Sequence, residues 1–205
     1  MALQKTEEEK ETKSKKRRTE LINETINTIA EVGISGASIE KITERAGVSR
    51  GLVRYYFRNK AELLQATYRY IALEYWQIMV NDITEGTVQQ KLNRFVDSGF
   101  DPIYARREIV SAWVALTETS RTDQGLYEIY EEASKLYRKQ LIPLFRAVMG
   151  EDVDSKEIEL AADGLAALGN GLWLDLSLKP GEYDLSRARE IWWHYVKQLS
   201  RGDKG

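Results

Sequence analysis

Apolar residues recur every three or four positions through most of this chain, which is the spacing of helices that bury one face. The first clear helix is predicted over Arg17 to Val32, and its apolar side carries Leu21, Ile22, Thr25, Ile26, Ile29 and Ala30. No segment sustains the alternation of apolar and polar residues that is typical of a strand. The pattern therefore predicts an all-α chain of about nine helices.

Interruptions rich in glycine, proline and turn-forming polar residues separate the predicted helices. They fall at residues 33–37, 47, 58–59, 85–86, 101–102, 122–125, 150–154 and 180–181. We expect a disordered tail over 1–12, a small head over 13–60, and a larger helical body over 61–205. The fourth helix runs from the head into the body without a linker, so movement in one part can reach the other.

The segment 38–60 predicts two short helices around a tight glycine turn. Ser38 and Ser49 are suited to cap the two helices, and Gly47 can adopt the left-handed conformation that a side chain disfavours. This arrangement is a helix-turn-helix, whose second helix enters the major groove of DNA. The alternative is an ordinary turn within a helical bundle.

Specific roles follow from the chemistry of the second short helix. Arg50 can hold a guanine through two acceptors, Gly51 allows the backbone to approach closely, and Leu52 can contact a thymine methyl. Arg54 reads either a base or a phosphate. For Tyr56 a phosphate contact and packing under the helix are both open. The predicted DNA-contacting set is Ser38, Ser49, Arg50, Gly51, Leu52, Arg54, Tyr55, Tyr56 and Lys60.

Positive charge is concentrated at one end of the chain. Residues 13–60 contain eleven Lys and Arg against five Glu, a net of +6, whereas residues 61–205 contain 17 against 23, a net of −6. A basic module on an acidic body suits phosphate binding with counterion release. The run Lys15 to Arg18 is either a basic arm for DNA or a solvated charge run.

With Tyr56, Phe57 and Lys60 following the glycine turn, the chain from about Lys16 onward resembles the TetR family of transcriptional repressors. The resemblance implies a homodimer with two-fold symmetry, a palindromic operator in double-stranded DNA, and a second domain whose small-molecule effector controls DNA affinity. Within the family, the segments 112–113, 126–127 and 164–174 are most similar to the choline-responsive repressors of glycine-betaine synthesis.

The body is rich in aromatic residues, since the chain has five Trp and eleven Tyr. Several fall on segments that the resemblance expects to enclose a cavity, where aromatic faces can hold a quaternary ammonium. Asp175 and Glu118 can add negative charge. Core filling is the alternative for each aromatic residue. The predicted effector-binding set is Trp76, Trp113, Tyr127, Tyr130, Trp173 and Asp175.

The last two helices combine small residues with apolar stripes, which is typical of close helix packing across a dimer axis. The small residues are Ala161, Ala162, Gly164, Ala166, Ala167, Gly169 and Gly171. The predicted dimer interface is Leu165, Leu168, Leu172, Trp192, Tyr195 and Leu199. An internal core helix is the alternative interpretation.

Several function classes are excluded by residues that the chain lacks. With no cysteine there is no disulfide, thiolate zinc site or cysteine nucleophile, and the single His194 has no catalytic or metal-binding partners at a typical spacing. No apolar run is long enough to span a membrane, and the start is unlike a signal peptide. We therefore expect a cytoplasmic regulator that is not an enzyme and has no cofactor or metal.

The alternatives are an activator, an architectural DNA-binding protein, and a regulator of efflux or catabolic genes with an unrelated hydrophobic effector.

Overall fold

The computed structural model describes residues 2–74, 77, 85–103, 105–178 and 184–199. Within these ranges the chain forms nine α-helices and no strand, which confirms the predicted all-α fold. The helices are α1 (Ala2–Gly36), α2 (Ile39–Ala46), α3 (Arg50–Tyr56), α4 (Lys60–Arg69), α5 (Val88–Gly99), α6 (Arg107–Thr119), α7 (Gln124–Met149), α8 (Ser155–Leu178) and α9 (Leu185–Leu199).

The first helix is longer at both ends than the sequence predicted. Residues 2–12, expected to be a disordered tail, form the first turns of α1. Glu and Lys are good helix formers and pair one turn apart, as the Lys15 ammonium does with the Glu11 carboxylate at 2.6 Å. The predicted break at Gly33 is present inside the helix, because this residue has φ 69° and ψ 173°.

The turn chemistry of the head follows the prediction closely. Ser38, Ser49 and Asn59 each precede a helix, and each side-chain oxygen accepts a hydrogen bond from the backbone N–H three residues later, at 3.3, 3.3 and 2.9 Å. Gly47 closes α2 in the left-handed conformation, with φ 61° and ψ 37°. These local interactions make α2 and α3 a helix-turn-helix.

Among the described residues, two large hydrophobic cores organise the molecule beside a small third cluster. The first joins the head to the near end of the body, and its fully buried side chains include Leu21, Ile42, Val53, Phe57, Leu63, Tyr68, Leu116 and Leu126. The second joins α5, α7, α8 and α9, and includes Leu92, Phe95, Leu141, Phe145, Leu165 and Trp192. Since α7 contributes to both cores, it connects the head side of the body to the far side.

The fourth helix does not stop at Arg69. It continues as a π-helical turn over Tyr70–Glu74, which places an extra residue in the turn that reaches the middle of the body. The predicted continuity between head and body therefore holds to residue 74 in the described part of α4.

The small residues of α8 bring α9 close within the same chain. A side chain at Gly164 would bring its Cβ into the Tyr195 hydroxyl oxygen, and that hydroxyl donates to the Ala161 carbonyl at 3.1 Å. The Trp192 indole N–H likewise donates to the Leu165 carbonyl at 3.3 Å. Close helix approach was predicted correctly, but here its partner is a helix of the same chain.

This packing corrects part of the predicted dimer interface. Leu165 and Trp192 are at most 3% exposed in the single chain, so they have no surface left for a second copy. Their apolar area is already used in the second core. The other four predicted residues pack partly on the same core: Leu168, Leu172, Tyr195 and Leu199.

Among the described residues, no helix combines the length and hydropathy that a membrane crossing requires.

Candidate DNA-binding surface and ligand cavity

The second helix of the helix-turn-helix presents most of its side chains to solvent. Within α3 only Val53 is buried, and it anchors the helix on the first core. Arg50, Gly51 and Arg54 are exposed, and Tyr55 keeps 77% of its surface accessible. Because a recognition helix must present accessible side chains to the base edges in a DNA groove, this exposed face is a candidate DNA-binding surface.

Arg50, the predicted base-reading residue, is paired with a carboxylate in the free protein. Its guanidinium lies 3.1 Å from the carboxylate of Glu40 on α2. The pKa of Glu40 lies below its ordinary value. The largest cause is backbone hydrogen bonding at Glu40 itself, followed by the hydrogen bond with the Ser38 hydroxyl and by the charge of Arg50. The acid therefore stays ionised and orients the guanidinium at the surface of α3.

Two residues predicted to touch phosphate are also engaged inside the head. The Lys60 ammonium donates to the Ile34 carbonyl at 2.9 Å, so it ties the start of α4 to the end of α1. Tyr56 is half-buried on the first core, with its ring edge-on to Tyr55 at 5.0 Å between centroids. Packing under the recognition helix is therefore present for Tyr56.

The basic run at the start of the head lies on α1 and is partly paired. The Arg17 guanidinium is 2.6 Å from the Glu20 carboxylate, and the Arg18 guanidinium lies 5.2 Å from the centre of the Phe57 ring. This cation–π contact fixes Arg18 beside the end of α3. The run is therefore a helical surface next to the recognition helix.

A cavity of about 410 Å³ lies in the body between α4 and the helices of the second core. Seven of its eighteen lining residues are aromatic, a lining that suits an apolar or cationic ligand. The aromatic lining residues are Tyr68, Phe100, Trp113, Tyr130, Tyr137, Trp173 and Trp192.

The aromatic side chains are held in place by contacts with each other and with polar groups. The Trp113 and Trp173 rings are 5.5 Å apart at 81°, so their planes form a corner. The Trp173 indole N–H donates to the Gly99 carbonyl at 3.2 Å, which orients that ring. The hydroxyls of Tyr68 and Thr117 lie 2.9 Å apart. These ring donors therefore already have partners within the protein.

Burial keeps two of the cavity tyrosines neutral. Desolvation raises the pKa of Tyr68 to about 12, against the opposing effect of its hydrogen bond with Thr117. Burial also raises the pKa of Tyr137. The phenols offer neutral aromatic faces to the cavity, because no phenolate forms at ordinary pH.

The cavity contains only part of the predicted effector set. Trp113, Tyr130 and Trp173 line it, but Tyr127 and Asp175 are exposed outside it, and Trp76 lies outside the described residues. Tyr127 lies about one helical turn before Tyr130, which lines the cavity from α7. Asp175 follows Trp173 by two residues, which places it about 200° further around the axis of α8, on nearly the opposite side. Tyr127 and Asp175 therefore do not line this cavity.

The cavity's charged residues are not those predicted. Glu118 is exposed and lies 3.7 Å from the Arg121 guanidinium. Among the described residues, the charged groups that line the cavity are Arg138 on α7 and Asp163 on α8. They are 25 positions apart in the sequence, so no local pattern could reveal their pairing. Tyr68 had a signal in the sequence, since it follows the apolar Leu64 by four residues and so lies on the same face of α4.

Comparisons with known proteins find family matches for both the helix-turn-helix head and the helical body. Residues 21–67 match the family described as bacterial regulatory proteins, tetR family, and residues 88–201 match the BetI-type transcriptional repressor, C-terminal. The HTH-type transcriptional regulator BetI of Escherichia coli K12 is 33% identical over 185 residues, covering 89% of this chain and 93% of the relative.

Solved structures show the same fold. A putative transcriptional regulator from Pseudomonas aeruginosa PAO1 superposes with a TM-score of 0.77 at 26% identity, covering 92% of each chain. A putative transcriptional regulator from Saccharomonospora viridis, solved in complex with choline, has a TM-score of 0.76 at 18% identity, over 89% of this chain and 96% of that one. The chain belongs to the TetR family of transcriptional regulators and carries a BetI-type repressor domain, so it is a regulator and not an enzyme.

Proposed function

We propose that this repressor binds a palindromic operator as a homodimer and releases it when choline or another quaternary ammonium enters the aromatic cavity. The observation that carries the proposal is the corner formed by Trp113 and Trp173 within a wall of seven aromatic side chains. Support also comes from the BetI relative and from the choline-bound neighbour of the same fold.

The cavity chemistry suits a cation without N–H donors. A trimethylammonium group cannot form a conventional hydrogen bond, but the negative faces of aromatic rings attract it. The Trp173 indole N–H and the Tyr68 hydroxyl already have protein partners, so neither needs a hydrogen bond from the ligand. The volume of about 410 Å³ is also within the range of small-molecule sites.

For the dimer seam we propose the outward face of α8. Leu174 and Leu178 are 44% and 66% exposed, and the exposed Gly171 precedes them on the same face in the second half of the helix. The spacing from one to the next is three or four residues, which makes one stripe along a helix. A second copy packed on this stripe would bury it and set the two recognition helices about 34 Å apart, one turn of duplex DNA.

The proposed release mechanism uses α4. Its far end contributes Ile71 and Ala72 to the cavity wall, and its first residue, Lys60, is bonded to Ile34 in the head. A ligand that shifts the far end therefore shifts the head and spoils the spacing of the recognition helices. A coupling of about 1 to 3 kcal/mol would lower operator affinity about 5- to 150-fold.

The test is fluorescence anisotropy on the DNA upstream of the protein's own coding sequence, against scrambled DNA, with and without choline. We expect specific binding that choline weakens. Trp113→Leu should remove the choline response, whereas Tyr127→Leu, an exposed aromatic outside the cavity, should retain it.

Other outcomes would redirect the proposal. Specific binding indifferent to choline would favour the regulator of efflux or catabolic genes with a hydrophobic effector. Equal binding to both DNAs would contradict operator recognition and favour an architectural role.

A further inference from the structure

One basic and two acidic side chains lie together where α7 and α8 border the cavity. The Arg138 guanidinium is 3.0 Å from the Asp163 carboxylate and 3.8 Å from the carboxylate of Glu159. Arg138 and Asp163 both line the cavity, and each keeps more than two fifths of its side chain accessible. This group, which we call the rim cluster, has one positive charge against two negative charges and so a net charge of −1.

We propose that the rim cluster makes the cavity select a quaternary ammonium with a single positive charge and reject one that also carries a carboxylate. This inference rests on the proposed function. It assigns Asp163 as the specificity-determining acid and Arg138 as the residue that moderates its charge.

The selection follows from the two charges that a ligand brings to the rim. A cation in the aromatic cavity is attracted by the net negative rim. A carboxylate on the same ligand is repelled by Asp163 and Glu159, and it can reach Arg138 only by displacing the acid already paired at 3.0 Å. The zwitterion therefore gains less from the rim than the cation does, while both gain equally from the aromatic faces.

Choline and glycine betaine are the matched probes, because they share the trimethylammonium group and differ in a hydroxyl against a carboxylate. We expect the unmodified protein, followed by tryptophan fluorescence or calorimetry, to bind choline more tightly. Asp163→Asn should weaken choline about three- to tenfold and strengthen glycine betaine, since one rim charge near the ligand is lost. Arg138→Gln should do the opposite for both ligands.

Two controls separate charge from folding. Asp175→Asn removes the same charge from the same helix outside the cavity and should leave both affinities unchanged. The uncharged carbon analogue of choline, with tert-butyl in place of trimethylammonium, should bind the unmodified protein and Asp163→Asn equally well.

The outcomes distinguish this inference from the proposed function. If Asp163→Asn weakened choline, glycine betaine and the uncharged analogue alike, Asp163 would be structural and the inference wrong, while the quaternary-ammonium cavity would stand. If the unmodified protein bound none of the charged probes, the proposed function would fail and the inference with it. Opposite shifts for choline and glycine betaine would support both.

Discussion

The Arg50 guanidinium rests 3.1 Å from the Glu40 carboxylate, across the turn that joins α2 to α3. Both side chains are more than half exposed, so the pair is weak in water and can exchange partners when DNA arrives. We therefore expect Glu40 to affect DNA binding in two opposite ways: it orients the side chain that we predict to read a base, and its charge repels phosphate. Substitutions at Arg50 and at Glu40 can separate the two effects.

Arg50→Ala should weaken binding to the operator by about 1 to 3 kcal/mol per contacted site, because the two-acceptor contact with guanine is lost. Anisotropy titrations at moderate salt on operator and scrambled DNA would measure this loss. Arg187→Ala is a suitable control, since Arg187 is an exposed arginine on α9 paired with Glu190. Unchanged operator affinity in Arg50→Ala would show that α3 does not read bases through this residue.

Glu40→Gln should raise affinity for operator and scrambled DNA together, by about two- to tenfold at low salt. The reason is that a negative charge beside the recognition helix is removed without a change in side-chain size. Specificity, measured as the ratio of the two affinities, should fall because Arg50 loses its orienting partner. A uniform loss of affinity for both DNAs would contradict this role for Glu40.

Gly51→Ala should stabilise the protein and weaken operator binding. A Cβ at this position would meet only the Ser49 hydroxyl, at 3.7 Å, and alanine favours a helix over glycine by about 1 kcal/mol. The added methyl projects from the exposed surface of α3, where we expect the backbone to approach DNA. Thermal unfolding and anisotropy of the same variant would test both parts, and an unchanged operator affinity would exclude close backbone approach.

Tyr68 should make stability fall in strongly alkaline solution. Its pKa is raised from 10.0 to about 12 in the folded state, so this contribution is complete below pH 10 and is lost as the pH rises through about 12. The full effect is about 3 kcal/mol. Urea unfolding across this range should show a shallower decline for Tyr68→Phe, which also loses its hydrogen bond with Thr117.

The matched control for Tyr68 is Tyr55→Phe, which removes an exposed phenol from the recognition helix. Its stability should depend on pH as in the unmodified protein. If Tyr68→Phe also left the alkaline decline unchanged, the burial of the Tyr68 phenol would not contribute to it.

Leu174→Asp should separate the proposed dimer into monomers, because it places a charge in the stripe on the outward face of α8. Sedimentation velocity at micromolar concentration would detect the change in mass. Ile103→Asp changes another exposed apolar residue, which is 65% exposed and lies between α5 and α6, and it should leave the dimer intact. A dimer that survives Leu174→Asp would place the seam elsewhere.

Local chemistry explains why the head was predictable from sequence. Ser38, Gly47 and Ser49 act on backbone groups within three or four residues of themselves, so their order along the chain determines the turn. The helix count was equally accessible, because apolar spacing and breaks are also local signals.

The cavity was only partly predictable because its contents depend on distant contacts. Trp113 and Trp173 were recognisable as aromatic candidates, but Trp192 was assigned to a dimer interface that its burial excludes. An apolar stripe does not reveal whether its partner is the same chain or a second copy. The pairing of Arg138 with Asp163 likewise depends on the crossing of α7 and α8, which no short motif specifies.

The core that joins the head to the body limits how this regulator can be re-engineered. Val53 and Phe57 of the head lie in one buried cluster with Leu116 and Leu126 of α6 and α7. A chimera that joins the head of one repressor to the body of another near Lys60 would bring together side chains that do not fit in that cluster. Each poor fit would lower the free energy of unfolding by about 1 to 3 kcal/mol. Transplanting the operator preference of another repressor should therefore succeed through the exposed residues of α3, and fail when the whole head is exchanged.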